Sequence, residues 1–517
     1  MGRMGSSYNK FKRGNEIRGF VWSPRAWLIP GLLGFSLLLA LTVTPARAAD
    51  QDHFRVQELS IDGWMLGALV GDFNGDNLGD LALIYLPAAG DDMRRFIGLF
   101  SHDRTTGFGS RPTHITPLPT TASQFQVVDV QGDGADEIVF VDDRGVQSLS
   151  WSGTEGFSPS VRVARRQSVY QAGVFRGALM SDFALEINGL PGPEFVIPTA
   201  AGVAIYEAGE NGVYELLNEI ALKSVGTHAD VRQLFRRAPS RSYVIEPPEV
   251  KALDANLDGR LDLYFLWSDH LYVFLQDETG NFPRTADQEI TLSSPALRES
   301  CYPLLVDCNG DGRPDLVALR LQGGISAAEC KVDFYHSDQT GRLASVPNKS
   351  LSLSQARTSM ILTDIDGDGL PELALPAVEL GAVSTIKMMM QKRGGLYLLI
   401  YDLQNGLPND EATVRKKFSF ALDFETEAPD EEVIFDWSAD YNNDGLMDLV
   451  FSTGDGNLEI YYGAGRGFIE ADPSIETPLV NAGGITPYEL NRDGRSDLVV
   501  ERVNSGRVNG VWALLSK

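Results

Sequence analysis

One nine-residue pattern recurs seven times along the chain, and no other feature narrows its fold so far. In the first copy, short oxygen-bearing side chains stand at positions 1, 3, 5 and 9: Asp72, Asn74, Asp76 and Asp80. The same slots then hold Asp129, Gln131, Asp133 and Glu137, followed by Asp254, Asn256, Asp258 and Asp262. Asp307, Asn309, Asp311 and Asp315 come next, then Asp364, Asp366, Asp368 and Glu372. The last copies supply Asp440, Asn442, Asp444 and Asp448, and Glu489, Asn491, Asp493 and Asp497. Only Gln131 breaks the Asp, Asn or Glu rule. A chance match at four such slots is on the order of one in a thousand per window, so seven copies in register mark an internal repeat.

The spacing has a chemical reason. Calcium takes six to eight oxygens at about 2.3–2.6 Å, and alternate residues of a tight loop can turn short carboxylates or amides inward while the position-7 carbonyl joins them. Gly at positions 4 and 6, as in Gly310 and Gly312, permits backbone angles that a β-carbon would strain. The acid at position 9 returns from the next strand to close the shell. Magnesium fits less well, because it demands near-ideal octahedral geometry and keeps its waters. An EF-hand is excluded, since its closing Glu belongs at position 12 between two helices. The pattern therefore predicts about seven Ca2+ sites.

Short apolar runs flank each loop, such as Val127-Val128 before and Glu137–Phe140 after. A Gly-marked turn leads to a third run, such as Leu271–Leu275 or Leu458–Tyr462, and a more polar fourth follows, as in Phe418–Leu422. Four short strands per repeat predict an all-β chain folded as a β-propeller of four-stranded blades. The 125 residues between the second and third loop starts are room for two repeats. There Ala178–Phe183 and Pro193–Ile197 imitate the flanking strands around a loop without the ligand pattern, the region of Asp182 departing from it. Eight blades result, or seven if one repeat is peripheral. After Asp497 only two strands remain, Leu498–Val500 and Val511–Leu515, while His53–Leu59 is an orphan strand ahead of the first blade. That N-terminal strand can close the last blade and remove its open edge.

The loop Asp-x-Asn/Asp-Gly-Asp-Gly-x-x-Asp followed by an apolar strand resembles the FG-GAP (VCBS-type) repeats, which build the calcium-bearing propeller of integrin α-subunits. The resemblance covers nearly all of residues 50–517 and implies that positions 1, 3, 5 and 9 ligate metal. Adhesion receptors, lectins and some polysaccharide lyases share such repeats, so the resemblance implies a fold and leaves the function open.

Compartment and partners come from charge and the N-terminus. The chain of 517 residues carries a net charge of −26, which repels nucleic acid. Residues 1–49 run the other way, with seven Lys or Arg against one Glu. Arg3, Lys10, Lys12, Arg13, Arg18 and Arg25 precede the apolar run Trp27–Val43, and Ala46-Arg47-Ala48 follows it. This is the order of a secretory signal peptide, residues 1–48, ahead of a repeat domain at 49–517; it predicts a secreted, periplasmic or cell-surface protein. The alternative is an uncleaved anchor in contact with a membrane, because the run approaches spanning length. Pro30, Gly31 and Gly34 weaken such a helix. Cys301, Cys308 and Cys330 describe no disulfide framework; one bridge, Cys301–Cys330, or buried free thiols are both compatible with the count.

The loops joining first to second strands must share one face of the ring. Two basic insertions fall on connections at the other face: Lys223–Arg241, with Arg232, Arg236 and Arg237, and Thr385–Arg393, with Lys387 and Lys392. Both suit short helices and an anionic or polysaccharide ligand, or else serve as solvated loops and partners of surface carboxylates. No Gly-x-Ser-x-Gly elbow, phosphate loop or His-Glu-x-x-His motif occurs, and the six histidines (His53, His102, His114, His228, His270, His336) form no catalytic pattern. An adhesion or ligand-binding module for extracellular protein or carbohydrate is thus the expected function, with a polysaccharide lyase on the same scaffold as the alternative.

Overall fold

In a computed structural model of the chain, eight antiparallel sheets of four strands stand in a ring. The structure describes residues 53–88, 94–165, 178–199, 202–209, 213–222, 248–267, 270–292, 300–323, 329–354, 356–379, 382–421, 434–504 and 507–517. The predicted signal segment and the insertion carrying Arg232, Arg236 and Arg237 lie outside the described residues.

Each blade climbs outward from an inner strand. Blade 1 runs from Gly63–Gly71 through Asp80–Pro87 and Phe96–Phe100 to His114–Pro117. Blades 2 to 7 repeat this order, and the second strands of blades 2 and 4 are Glu137–Asp142 and Asp262–Leu266. These second strands read as unbroken apolar runs because both faces are covered by neighbouring blades. Leu81, Leu83 and Tyr85 of blade 1 turn toward blade 8, whereas Ala82 and Ile84 turn toward blade 2. Eight such clusters fill the gaps between adjacent blades, one per gap. A helix could not serve two opposite cores with a period of two; strands can.

Blade 8 is built from both ends of the chain. Its inner strands are Ala482–Tyr488, Asp497–Asn504 and Arg507–Ser516, and its outermost is Phe54–Ser60. Phe54 pairs with Ser516 and Ser60 with Gly510. The clasp buries one side chain in each flanking gap: Phe54 packs between blades 7 and 8, Leu59 between blades 8 and 1.

Blade 3 departs most from the others. Leu179–Met180 runs parallel to the inner strand of blade 2, and only Ala184–Leu185 pairs within its own blade. The Gln126 side chain holds the switch: its Oε1 accepts from the Phe183 and Ala184 amides at 2.8 Å, and Nε2 donates to the Ala184 carbonyl at 2.9 Å. Asp182 therefore sits in a kink of the inner strand. The loop of this blade, residues 186–194, opens between the runs Ala178–Phe183 and Pro193–Ile197 that imitate its flanking strands.

Blade 5 decides the cysteines. Cys301 belongs to the gap with blade 4 and Cys330 to the gap with blade 6, on opposite faces of one sheet. No bridge can join them, and all three cysteines are buried free thiols.

Candidate metal centres

The seven acidic loops connect first to second strands and lie side by side on one face of the ring. In six of them the position-1 Asp folds the loop around itself. Its Oδ2 accepts the position-6 amide at 2.8 Å in the first loop (Asn77 to Asp72) and 2.7 Å in blade 5 (Gly312 to Asp307). Position 3 accepts from the position-5 amide, as Asn74 does from Asp76 at 2.9 Å. Position 5 accepts from position 7, as Asp444 does from Leu446 at 2.9 Å. These bonds require a left-handed backbone at position 6, where φ is +91° at Gly134 and +86° at Gly259. Position 4 is left-handed too, even where it is Leu257 (φ +61°) or Arg492 (φ +55°).

Position 9 comes from the buried start of the second strand. Asp80, Asp262, Asp315, Asp448 and Asp497 have no exposed surface. Each Asp also ties the loop to the end of the third strand. Asp262 accepts from the Ala255 and Gln276 amides, both at 2.8 Å, and Asp448 from Tyr441 at 2.7 Å and Gly463 at 2.8 Å. Asp80 accepts from the His102 amide at 2.7 Å, Asp315 from Ser337 at 2.8 Å and Asp497 from Ser516 at 2.7 Å. Where position 9 is Glu, its longer reach leaves this tie unused: Glu137 takes its loop amide Val130 at 2.8 Å and the Gln131 and Ser150 side chains instead.

These carboxyls are costly as anions without a counter-charge. Burial pushes Asp80, Glu372 and Asp448 up to about 7 and Asp262 up to about 6, and neighbouring carboxylates of the same loops add to the effect. Oδ2 of the buried Asp80 has no hydrogen-bond partner. In blade 6, oxygens of Asp364, Asp366 and Glu372 lie within 4.8 Å of one another. An orphaned buried oxygen and converging carboxylates form the all-oxygen donor set of a hard divalent cation. The loops at 72–80, 254–262, 307–315, 364–372 and 440–448 carry the full set.

The other loops differ in identifiable ways. In blade 2, Nε2 of Gln131 donates to Glu137, which places a donor where other loops place an acceptor. In blade 8, Glu489 is one methylene longer than Asp at position 1, while Asn491 and Asp493 keep their loop bonds at 3.0 and 2.8 Å. In blade 3 the frame survives in part, since Pro191 at position 6 has no amide to give to position 1. Glu186, Asn188 and Glu194 fall at positions 1, 3 and 9, and Leu190 replaces the acid at position 5. The Ile187 amide still donates to buried Glu194 at 2.7 Å, and Leu190 to Asn188 at 2.8 Å. Sequence reasoning missed these residues; the pair Asn188-Gly189, with Gly left-handed at φ +70°, is the signal that could have found them.

Neighbouring loops also hold one another. The Asp136 amide donates to the Asp72 carbonyl at 2.8 Å, Gly79 to Leu490 at 2.7 Å and Ser496 to Asp440 at 2.9 Å. Arg492 of blade 8 reaches into the first loop, donating to Asn77 at 2.7 Å and standing 3.9 Å from Asp72. Of the basic residues predicted for the other face, Lys387 lies on a helix, Ala382–Gln391, and exposed Lys392 directly follows it.

The FG-GAP-like repeat family matches residues 254–318, 307–375 and 440–500. No curated protein matches the sequence. Among solved structures, an Agrocybe aegerita lectin described for specific recognition of non-reducing terminal N-acetylglucosamine is 14% identical, over 72% of this chain and 86% of that one, with a TM-score of 0.39. The V. cholerae biofilm matrix protein Bap1 is 12% identical, over 90% of this chain and 91% of that one, with a TM-score of 0.38. Three FG-GAP-like repeats in blades 4 to 8, carried on a ring of eight blades, support an FG-GAP repeat β-propeller.

Proposed function

We propose that this protein is a secreted, calcium-loaded binding module, whose metal loops brace one face of the ring while the opposite face meets an extracellular carbohydrate or protein. The observation that carries the metal is the convergence of Asp364, Asp366 and Glu372 in blade 6, repeated in donor type by four other complete loops. Bound calcium supplies the positive charge that lets position-9 carboxylates ionise while buried. The loops then hold the cation with Asp, Asn or Glu oxygens and keep their own shape through the amide bonds above. The loops of blades 7, 8, 1 and 2 are bonded in series, so metal in one of these stiffens the next. Secretion is supported by the order of charged, apolar and small residues in positions 1–48.

The test is metal content together with thermal melts. Protein purified without chelator should carry several calcium ions. Restoring calcium to chelated protein should raise the melting temperature, since a ligand at one hundred times Kd stabilises by about 2.7 kcal/mol per site. Metal-free material that melts identically with EDTA and with calcium would sink the reading. Glycan and protein arrays, probed with and without chelator, then identify what the opposite face holds.

A further inference from the structure

We infer that the helix Ala382–Gln391 is a membrane-docking element that inserts its apolar side into a bilayer containing anionic phospholipid. It fills the connection between the second and third strands of blade 6, Glu372–Glu379 and Arg393–Tyr401. The same connection is a tight turn in blade 2, from Asp142 to Gly145, and in blade 7, from Ser452 to Asn457. A helix in place of a turn is an addition that the propeller itself does not need.

The helix is tethered on one side and bare on the other. Met388 packs against the core between blades 6 and 7. Ile386, Met389 and Met390 are 58%, 40% and 81% exposed, and their spacing of three and four residues puts them on one face. Beside them Ile386, Lys387, Met390 and Gln391 line an open recess of about 320 Å³. Lys387, Lys392 and Arg393 supply three cations, and residues 382–393 contain no acid, within a chain of net charge −26. Arg393 is placed by Asp455 at 3.6 Å.

Exposed apolar residues flanked by cations on a short helix suit the headgroup and acyl boundary of a membrane. The acyl layer takes Ile386, Met389 and Met390, and lipid phosphates take Lys387. An anionic polysaccharide would answer the cations and leave the apolar trio in water. The rest of the chain is acidic, but its repulsion is screened beyond about 8 Å at physiological ionic strength, so the helix makes the contact alone. Three apolar side chains anchor weakly, and docking is reversible. The inference rests on the proposed use of this face and not on metal in the loops, which emerge at the other end of the strands.

The experiment is flotation of the secreted chain (residue 49 onward) with vesicles of phosphatidylcholine, alone or doped with phosphatidylglycerol. It is run in EDTA, because calcium could bridge acidic loops to lipid phosphate, and repeated in calcium. Wild type should float with the doped vesicles in both buffers. Met389→Ser/Met390→Ser should cut bound protein by about tenfold or more, and Lys387→Glu should do the same. Thermal melts should match wild type; where the double substitution disturbs folding, Lys387→Glu alone decides. Absence of flotation, equal flotation of the variants, or flotation confined to calcium would overturn the inference. So would binding to dextran sulfate that is lost in the variants while wild type ignores the vesicles, an outcome that leaves the calcium-loaded binding module standing.

Discussion

At position 9 of the loops a single methylene decides what the carboxylate can hold. Asp at 80, 262, 315, 448 and 497 reaches back to the third strand's amide, whereas Glu at 137, 194 and 372 spends its length within or beside its own loop. Both kinds are buried, and burial raises their pKa values above the ordinary 3.8 or 4.5, to about 7 at Asp80, Glu372 and Asp448. In the metal-free protein these groups hold protons that an unfolded chain would release. Folding then takes up protons, and stability falls as pH rises from about 4 through about 7. Chelated protein should therefore melt higher at about pH 5 than at about pH 8, while excess calcium reverses the order by demanding the ionised form. Asp448→Asn should flatten the chelated slope; a melting temperature that rises with pH in EDTA would contradict the assignment.

Loops and strands were not equally legible in the sequence. Repeat spacing, apolar runs on both sides of each loop and the orphan strand at His53–Leu59 were enough to derive eight blades and their closure, because strand period and turn chemistry act locally. The ties between loops, such as Asp136 to Asp72 and Arg492 to Asn77, were invisible, since they depend on which blades become neighbours. The division of blade 3's inner strand was hidden for a related reason. Gln126, a contact 58 residues away in sequence, splits it between two sheets, and the local pattern around Asp182 does not show this. The cysteine question likewise waited for strand register to place Cys301 and Cys330 on opposite faces. The blade 3 loop offers a direct check of the donor-set argument. Leu190 is 55% exposed at position 5 of a loop that keeps Glu186, Asn188 and Glu194 at positions 1, 3 and 9. Leu190→Asp should add one calcium per molecule relative to wild type, counted by calorimetric titration, with little loss of stability because no core contact is removed.

The ring as a whole depends on eight apolar gaps of similar construction, and one of them is completed by the chain's beginning. Leu59 is fully buried between blades 8 and 1. Leu59→Ala should cost about 2–5 kcal/mol, the range for an aliphatic side chain cut from a filled core, read as a lower denaturation midpoint. The equivalent loss at Val56, 41% exposed on the same strand, should be small. Equal effects at the two positions would mean that the strand is not clasped as described. The pairing of Phe54 with Ser516 also imposes an order of events. During synthesis the first strand emerges with apolar residues on both sides and its mate not yet made. It must wait for more than four hundred and fifty residues to follow, as the numbering of the pair requires. A nascent polypeptide thus carries an unmatched sticky edge throughout its synthesis, and the final link locks only when Arg507–Ser516 comes free. Any factor that shields that leading segment until its mate is made should raise the yield of folded molecules.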